Sequence, residues 1–379
     1  MRPRTIILAP DSFKETLPAA EVAAAMAEGI ARVSDSMIAR QCRIGDGGEG
    51  TMEAIISARG GHFMTVDATG PRRERMRARF GRINDGTTGI VELAQASGLA
   101  LVPPSQRDPM GTTTYGTGRL IAEAVRIGCR EVIVCIGGSA TVDGGAGIAQ
   151  ACGWHFLDHQ GKELRLMSGG ALARIARIEP PQRGVDDLMF ADRGPPRVRV
   201  ACDVVNPLCG PNGAAAVYGP QKGATPEQVR LLDEGLGHLA KIAGGDPNAP
   251  GAGAAGGAGY GLATFLNATL ERGIDLVLEM VRFDETCRGA DLVITGEGRL
   301  DAQSLQGKAC LGVAAAAGRL GVPTIAIVGT TGPGAEKCIG PEGLSAYHSL
   351  ADRFGEDRAR REARTLIADL TEAVVRGLS

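Results

Sequence analysis

The sequence has few aromatic residues and no long run of one charge. Phe, Trp and Tyr make up 3 % of the 379 residues, which argues against a surface that stacks the bases of single-stranded nucleic acid. The densest basic stretch, from Arg72 to Arg79, is interleaved with apolar residues, which is more typical of an exposed strand face than of a nucleic-acid groove. With a net charge of −2, we expect no nucleic-acid partner.

Long apolar segments are missing as well. Only five uncharged residues, 5–9, separate Arg4 from Pro10, too few for the apolar core of a signal peptide or for a membrane span. The nine cysteines form no C-x-x-C pair and show no zinc-ligand spacing. The sequence therefore predicts reduced thiols, a cytoplasmic protein and no membrane partner.

Glycine, in contrast, is abundant. The 56 glycines are about twice the usual share of ~7 %, and they cluster in short loops without a collagen-like repeat. Glycine-rich loops between apolar runs are typical of places where the backbone passes close to a ligand.

Five apolar, β-branched segments predict strands buried on both faces of a parallel sheet. They are residues 5–9, 131–136, 198–202, 291–295 and 324–328. Helical periodicity lies between them. We expect one helix after Thr16 as its N-cap, a second opened by a capping box from Thr225 to Gln228, and a third over 308–320. Alternating strands and helices predict an α/β fold.

Residues 62–93 differ, because charged and apolar residues alternate around the hairpin-type turn Asn84-Asp85-Gly86. This pattern predicts antiparallel strands in a second domain. We expect a discontinuous, doubly wound Rossmann-like domain with a parallel sheet, formed by residues 1–60 and 285–379. An α/β domain with a mixed sheet, 61–284, would be inserted in it, with the active site in the cleft between them. The Gly- and Ala-rich segment 244–261 predicts a flexible loop or hinge.

Polar loops follow several predicted strands, at the sheet edge where ligands gather in open α/β folds. Ser12 and Lys14 follow the first strand and suit an anion, although a turn with a solvated lysine fits equally well. Asp46 and Glu49 lie among glycines, which favours metal or hydroxyl contact over an acidic turn.

The loop after segment 291–295 carries charges of both signs. Glu297 and Asp301 could hold Mg²⁺, while Arg299 and Lys308 could neutralise phosphate oxygens. These residue types are the ones that phosphoryl transfer uses, because positioning and charge neutralisation supply most of its catalysis.

A glycine loop after segment 131–136 predicts a cradle for phosphate or carboxylate, formed by Gly137, Gly138, Ser139 and Thr141. Asp143 could add a metal ligand or a general base.

Asp203 directly follows segment 198–202, where a lone Asp is often only a helix cap. We favour it as the carboxylate that orients an acceptor hydroxyl, with Asp143 as the next candidate.

Two nucleotide motifs fail in context. Residues 251–256 match G-x-G-x-x-G literally, but they follow prolines rather than a strand. Gly307-Lys308 lacks the Ser or Thr of a P-loop.

Taken together and in order, several segments resemble the bacterial glycerate kinases of the first class. They are residues 9–14, 46–51, 137–141, 203–208, 219–223 and 295–301 with 307–308. The resemblance implies an enzyme with ATP and Mg²⁺ that phosphorylates D-glycerate in sugar-acid and glyoxylate breakdown, more often at the 2-position than at the 3-position. It also implies a catalytic role for Lys14 and a phosphate-binding role for Lys222. Glu15, Gly45 and Val142 depart from the family pattern, and Val142 puts a side-chain contact at that position in doubt.

Two other functions stay open at this point. A nucleotide-dependent oxidoreductase would need a strand-anchored dinucleotide fingerprint. A non-catalytic protein that binds small hydroxy acids would bind glycerate without consuming ATP. The oligomeric state is left open.

Overall fold

The computed structural model describes residues 4–13, 16–45, 47–182, 194–302, 304–306 and 309–378. Its strands, in chain order, are β1 (Thr5–Pro10), β2 (Ile38–Gln41), β3 (Gly61–Thr69), β4 (Arg75–Ile83), β5 (Thr88–Glu92), β6 (Glu131–Cys135), β7 (His155–Leu157), β8 (Arg177–Glu179), β9 (Arg197–Ala201), β10 (Thr269–Glu271), β11 (Leu292–Gly296), β12 (Arg299–Leu300), β13 (Thr324–Val328), β14 (Thr330–Thr331) and β15 (Ala346–Ser349).

The α-helices alternate with these strands. They are α1 (Ala19–Ala31), α2 (Thr51–Arg59), α3 (Ala94–Ser97), α4 (Tyr115–Arg126), α5 (Ala146–Ala151), α6 (Ala214–Tyr218), α7 (Pro226–Ala243), α8 (Ala254–Leu266), α9 (Gly273–Met280), α10 (Phe283–Cys287), α11 (Ala309–Arg319), α12 (Leu350–Phe354), α13 (Glu356–Arg361) and α14 (Ala363–Gly377). In the described part of the chain, no helix is both long and apolar enough to cross a membrane.

The chain divides into two compact units. Unit 1 comprises Met1–Asp46, Glu53–Arg59 and Ile274–Ser379, and unit 2 comprises Gly47–Met52 and Gly60–Gly273.

Unit 1 contains a five-stranded sheet in the order β15-β13-β11-β1-β2. Every neighbouring pair is parallel. When the five strands of this sheet are numbered along the chain, the order is 5-4-3-1-2, which is the doubly wound arrangement with a reversal of strand order between β1 and β11. In such sheets a crevice for ligands opens at the reversal, outside the carboxyl ends of the two strands.

Part of the core of unit 1 forms around β1, an interior strand of the sheet. Ile6 and Leu8 on β1 are buried together with Met26 of α1 and Leu370 of α14. Because residues on both faces of β1 are buried, its sequence is apolar throughout rather than alternating. Each fully buried Leu or Ile contributes roughly 1.5–3 kcal/mol.

Unit 2 contains a six-stranded sheet in the order β10-β9-β6-β5-β4-β3. The pairs β3–β4 and β4–β5 are antiparallel, and β5, β6, β9 and β10 are parallel. The predicted fold class, a parallel sheet and a second, mixed sheet in an α/β protein, is confirmed. The capping box at Thr225 is also confirmed, since its side chain accepts from Gln228 N and the Gln228 side chain accepts from Thr225 N.

Two sequence-based expectations were wrong. Helix α1 begins at Ala19 with Pro18 as its N-cap residue, not after Thr16. A residue before proline is disfavoured in helical conformation, so Leu17 cannot belong to the helix.

The second error concerns segment 244–261, because its later part forms the start of α8, with a kink at the left-handed residues Ala255, Gly256 and Gly257. A Cβ on Gly256 would lie 1.8 Å from Thr141 O, and one on Gly257 would lie 2.7 Å from Gly144 Cα. The glycines therefore permit close backbone packing instead of acting as a hinge.

Candidate functional site

In unit 1, two buried carboxylates follow the two strands between which the order reverses. Asp11 is 6 % exposed and follows β1, and Glu297 is 7 % exposed and follows β11. The Asp11 amide donates to Gly296 O at 2.8 Å, which continues the β1–β11 pairing to the site. Both acids thus stand where the fold places a ligand crevice.

A buried thiol lies near both carboxylates. Cys310 begins the first turn of α11, and burial raises the pKa of its thiol well above the usual value, with the negative charges of Glu297 and Asp11 adding to the effect. Both carboxylates therefore act on the same buried side chain. The Thr295 hydroxyl donates to Ala9 O at 2.8 Å and joins the ends of both strands.

Ser304 connects the acidic residues of the following loop. Its hydroxyl donates to Glu297 Oε1 at 2.8 Å, and its oxygen accepts from the Asp301 amide at 3.3 Å. Asp301 pairs with Arg299 at 3.1 Å, and the Arg299 side chain is 61 % exposed. Such an exposed pair contributes little stability, so the guanidinium is available to a ligand.

The remaining unit 1 predictions have different outcomes. Ser12 lies beside Asp11, and its amide donates to Asp11 Oδ1 at 2.6 Å. Lys14, Asp46 and Lys308 lie outside the described residues.

In unit 2, the glycine loop after β6 packs against a second glycine segment. The Gly137 amide donates to Gly47 O at 3.2 Å, and a Cβ on Gly137 would lie 2.8 Å from Gly48 Cα. Gly138 has a φ of +74°, a conformation that favours glycine. The exposed Glu49 is near this loop, because its Oε1 lies 3.6 Å from where a Gly138 Cβ would be.

Lys222 reaches the same loop from the interior. It is 2 % exposed, and its Nζ donates to Ser139 Oγ and to Thr141 O, both at 2.7 Å. Burial lowers the pKa of Lys222 to about 7, and the negative charge of Asp143 opposes the shift. The Thr141 hydroxyl is buried and has no hydrogen-bond partner among the described residues.

Asp143 anchors two helix N-termini. Its Oδ2 accepts from the amide and the hydroxyl of Thr114, both at 2.8 Å, and its Oδ1 accepts from the Gly145 amide at 3.1 Å. Burial raises its pKa, while these hydrogen bonds act in the opposite direction. The Asp143 carboxylate has no exposed surface. Its hydrogen bonds hold the loop between β6 and α5 in place.

Asp203 lies at the carboxyl end of the neighbouring strand, β9. The residue is exposed, and its Oδ1 accepts from the Gly273 amide at 2.8 Å. A Cβ on Gly273 would lie 2.8 Å from Asp203 Oδ2, so the glycine lets the carboxylate stand against the backbone. Asp203 is therefore held in place and open to solvent.

Acidic and glycine-rich loops thus lie at the carboxyl ends of parallel strands in both units. The sequence also matches a known family over nearly the whole chain. The family model described as the glycerate kinase family matches residues 6–379. The chain belongs to this family.

Individual relatives agree with the family match. The glycerate kinase of Bacillus subtilis (strain 168) is 47 % identical over 330 residues, which cover 86 % of this chain and 85 % of the relative. The glycerate 2-kinase of Escherichia coli (strain K12) is 43 % identical over 335 residues, with the same two shares. A crystal structure of a protein named glycerate kinase 2, from Salmonella typhimurium LT2, has a TM-score of 0.84 at 40 % identity and covers 99 % of this chain and 98 % of that one.

Several residues of this glycerate kinase family member that lie at or near strand ends were not predicted from the sequence. Asp11 was passed over in favour of Ser12 and Lys14, although it directly follows β1. Glu92 ends β5 and is buried, and its Oε1 accepts from the Met52 amide at 2.8 Å. An acid at the end of an apolar segment is the signal that could have found both. Ser304 and Thr114 carry no such signal, because neither follows an apolar segment, and Thr114 acts through contacts with Asp143, 29 positions away.

Proposed function

We propose that this protein transfers the γ-phosphoryl group of ATP to D-glycerate and forms 2-phosphoglycerate in sugar-acid and glyoxylate breakdown. The observation that carries the proposal is the match to the glycerate kinase family over residues 6–379, together with a relative named glycerate 2-kinase at 43 % identity. ATP is the phosphoryl donor that this family implies.

Mg²⁺ fits the carboxyl edge of the unit 1 sheet. The described residues contain no group of three or more His, Cys, Asp or Glu that could hold a metal ion. Mg²⁺ does not require one, because it is usually held by one or two carboxylates, with water and substrate phosphates as its other ligands. Asp11 and Glu297 supply such a pair, and Asp301 lies near it through Ser304. When bound, the ion would neutralise charge on the phosphate oxygens.

Other residues would complete the binding of ATP. Arg299 is exposed and suited to phosphate oxygens. Lys14, Lys308 and Asp46 stay predictions from the sequence, as does a metal-binding role for Glu49.

The unit 2 edge supplies the groups that glycerate requires. Asp203 would orient the acceptor hydroxyl and accept its proton, because it is both held and exposed. The loop of Gly137, Gly138 and Ser139 would bind an oxyanion through amide and hydroxyl donors. Asp143 would hold this loop in position rather than exchange a proton with substrate, since all its hydrogen bonds are to buried protein groups.

We test the proposal by following ADP formation with D-glycerate and comparing it with L-glycerate and other short hydroxy acids. Phosphorus NMR of the product distinguishes the 2-phosphate from the 3-phosphate. We expect ADP formation that depends on D-glycerate and a 2-phosphate product. Binding of D-glycerate without ADP formation would instead identify a hydroxy-acid-binding protein and refute the kinase.

We also propose a cytoplasmic location. All nine cysteines are free, and free thiols are the usual state of cysteines in a reducing compartment.

A further inference from the structure

Lys222 gives the Ser139 hydroxyl a defined direction. The lysine lies at the end of a short 3₁₀ turn, Pro220–Lys222, and its Nζ donates to Ser139 Oγ at 2.7 Å. When Lys222 is charged, its ammonium group has three N–H donors and no acceptor. Ser139 Oγ then accepts in this bond, and its own hydrogen has to point to a different acceptor.

That acceptor is not found among the described residues. In the part of the chain that the structure describes, Lys222 is the only hydrogen-bond partner of the Ser139 hydroxyl. Ser139 retains 6 % of its surface exposed, at the loop after β6 where the Gly138 backbone adopts a positive φ. A hydroxyl whose O–H has no acceptor among the described residues, in a glycine loop at the edge of a parallel sheet, is suited to an oxyanion.

Lys222 itself is poorly placed to meet a phosphate. It is 2 % exposed, and a second N–H is bound to Thr141 O at 2.7 Å. Because the side chain is almost fully buried, its remaining N–H has little access to a ligand. The phosphate-binding role that the family resemblance implied is therefore better described as an indirect one.

The cost of burying this charge also favours a functional reason. Asp143 is the one acidic group whose charge acts on Lys222, and no ion pair joins them among the described residues. An apolar side chain of similar length would fill the same space at a lower desolvation cost. A charged donor instead polarises the hydroxyl that accepts from it and strengthens that hydroxyl as a donor.

We propose that Lys222 is a positioning residue that fixes Ser139 as a donor to an oxyanion of the substrates, either the carboxylate of glycerate or a phosphate oxygen of ATP. The proposal rests on the kinase function proposed above and specifies how the unit 2 loop recognises its anion. It makes Ser139 the residue that touches the ligand and Lys222 the residue that acts through it.

A double-mutant cycle tests this relation. The variants are Lys222→Met, Ser139→Ala and both together, with Lys241→Met as the control because Lys241 is exposed on α7. For each we measure kcat, the KM values for ATP and for D-glycerate, and the melting temperature. We expect each single variant to raise KM for one of the substrates by roughly ten- to a hundredfold. In the Ser139→Ala background, Lys222→Met should change that KM by no more than about twofold.

The two KM values distinguish the two possible sources of the anion, and the double variant tests whether the two residues act together. A raised KM for D-glycerate assigns the carboxylate, and a raised KM for ATP assigns a phosphate. If the KM increases of the two single variants multiply in the double variant, Lys222 acts independently of Ser139. That result would overturn the proposal.

If Lys222→Met does not fold, Ser139→Ala alone still tests the proposal. Unchanged KM values for both substrates in Ser139→Ala would refute the contact between Ser139 and the oxyanion. Ser139→Thr keeps a hydroxyl and should restore most of the affinity. A wild-type enzyme that forms no ADP with D-glycerate would refute the kinase function and this inference together, whereas the other negative results leave the kinase function standing.

Discussion

The carboxyl edges of the two parallel-strand regions differ in their buried ionisable groups. At the edge of the unit 1 sheet these groups are the carboxylates of Asp11 and Glu297, whereas at the edge of the unit 2 sheet the buried carboxylates of Glu92 and Asp143 are accompanied by the buried amine of Lys222. Both edges have the same architecture, a strand followed by a polar loop and a helix. This difference matches the ligands that we propose, a cation with its phosphates at the first edge and an oxyanion at the second.

The largest expected effect concerns Asp203 at the unit 2 edge. Asp203→Asn keeps the size of the side chain and should lower kcat by roughly 10²–10⁴, because the acceptor hydroxyl loses its proton acceptor. ATP binding, measured by calorimetry, should stay near that of the wild type. Asp357→Asn, at an exposed position on α13, serves as the control. Wild-type kcat in Asp203→Asn would refute the role, and lost ATP affinity with normal kcat would move Asp203 to the nucleotide site.

A smaller effect is expected at the unit 1 edge. Removing divalent cations with a chelator should abolish activity, and added Mg²⁺ should restore it. Glu297→Gln should raise the Mg²⁺ concentration for half-maximal activity by roughly ten- to a hundredfold, because one charged ligand is lost. Glu336→Gln, which changes an exposed acid of the same unit, should have no effect. An unchanged Mg²⁺ requirement in Glu297→Gln would show that the two edges do not differ as described.

The buried charge of Lys222 should appear in the pH dependence of stability. Its folded-state pKa is about 7 and its ordinary value is 10.5, so between these values the unfolded chain binds the proton that the folded chain has lost. The wild type should therefore gain stability relative to Lys222→Met as pH rises from 7 towards 10, by at most about 1.4 kcal/mol per pH unit. Chemical denaturation of both proteins at several pH values measures this difference. A difference that does not vary with pH would contradict a buried Lys222 with a lowered pKa at this edge.

The smallest effect is expected at Thr141. Its hydroxyl is buried without a partner in the described part of the chain, and its contact with Lys222 is made by the backbone oxygen. Thr141→Val should leave the kinetic constants within about twofold and should leave stability unchanged or raise it by about 1 kcal/mol. A strong loss of substrate affinity would instead show that the hydroxyl itself binds the ligand.

The sequence predicted the strands better than the contacts at their ends. Segments such as 324–328 are continuously apolar because strands buried on both faces must be, and this signal is local. The start of α1 was misplaced because the restriction that Pro18 imposes on Leu17 was overlooked. Segment 244–261 was misinterpreted because glycine suits a mobile loop and a close backbone contact equally well, and only the packing of Gly256 against Thr141 O distinguishes them.

For the candidate site, the sequence located loops but could not assign positions within them. Asp143 and Asp203 both follow predicted strands, yet one is sealed among amides and the other is exposed. This difference depends on Thr114 and Gly273, which are distant in sequence from the acids they bind. The bond from Lys222 to Ser139 spans 83 positions and likewise has no local signal.

The pairing of β1 with β11 has a consequence for how the protein is made. Bonded residues in these strands, such as Ala9 and Thr295, are 286 positions apart, and synthesis proceeds at about 5–20 residues per second. On the ribosome, β1 is therefore synthesised about 15–60 s before β11. Its earlier partner, on the opposite side, is β2. Residues 60–273 of unit 2 form an uninterrupted stretch and can fold meanwhile. The apolar first strand is thus a target for chaperones during translation, and a chain released before residue 292 would expose its edge to aggregation.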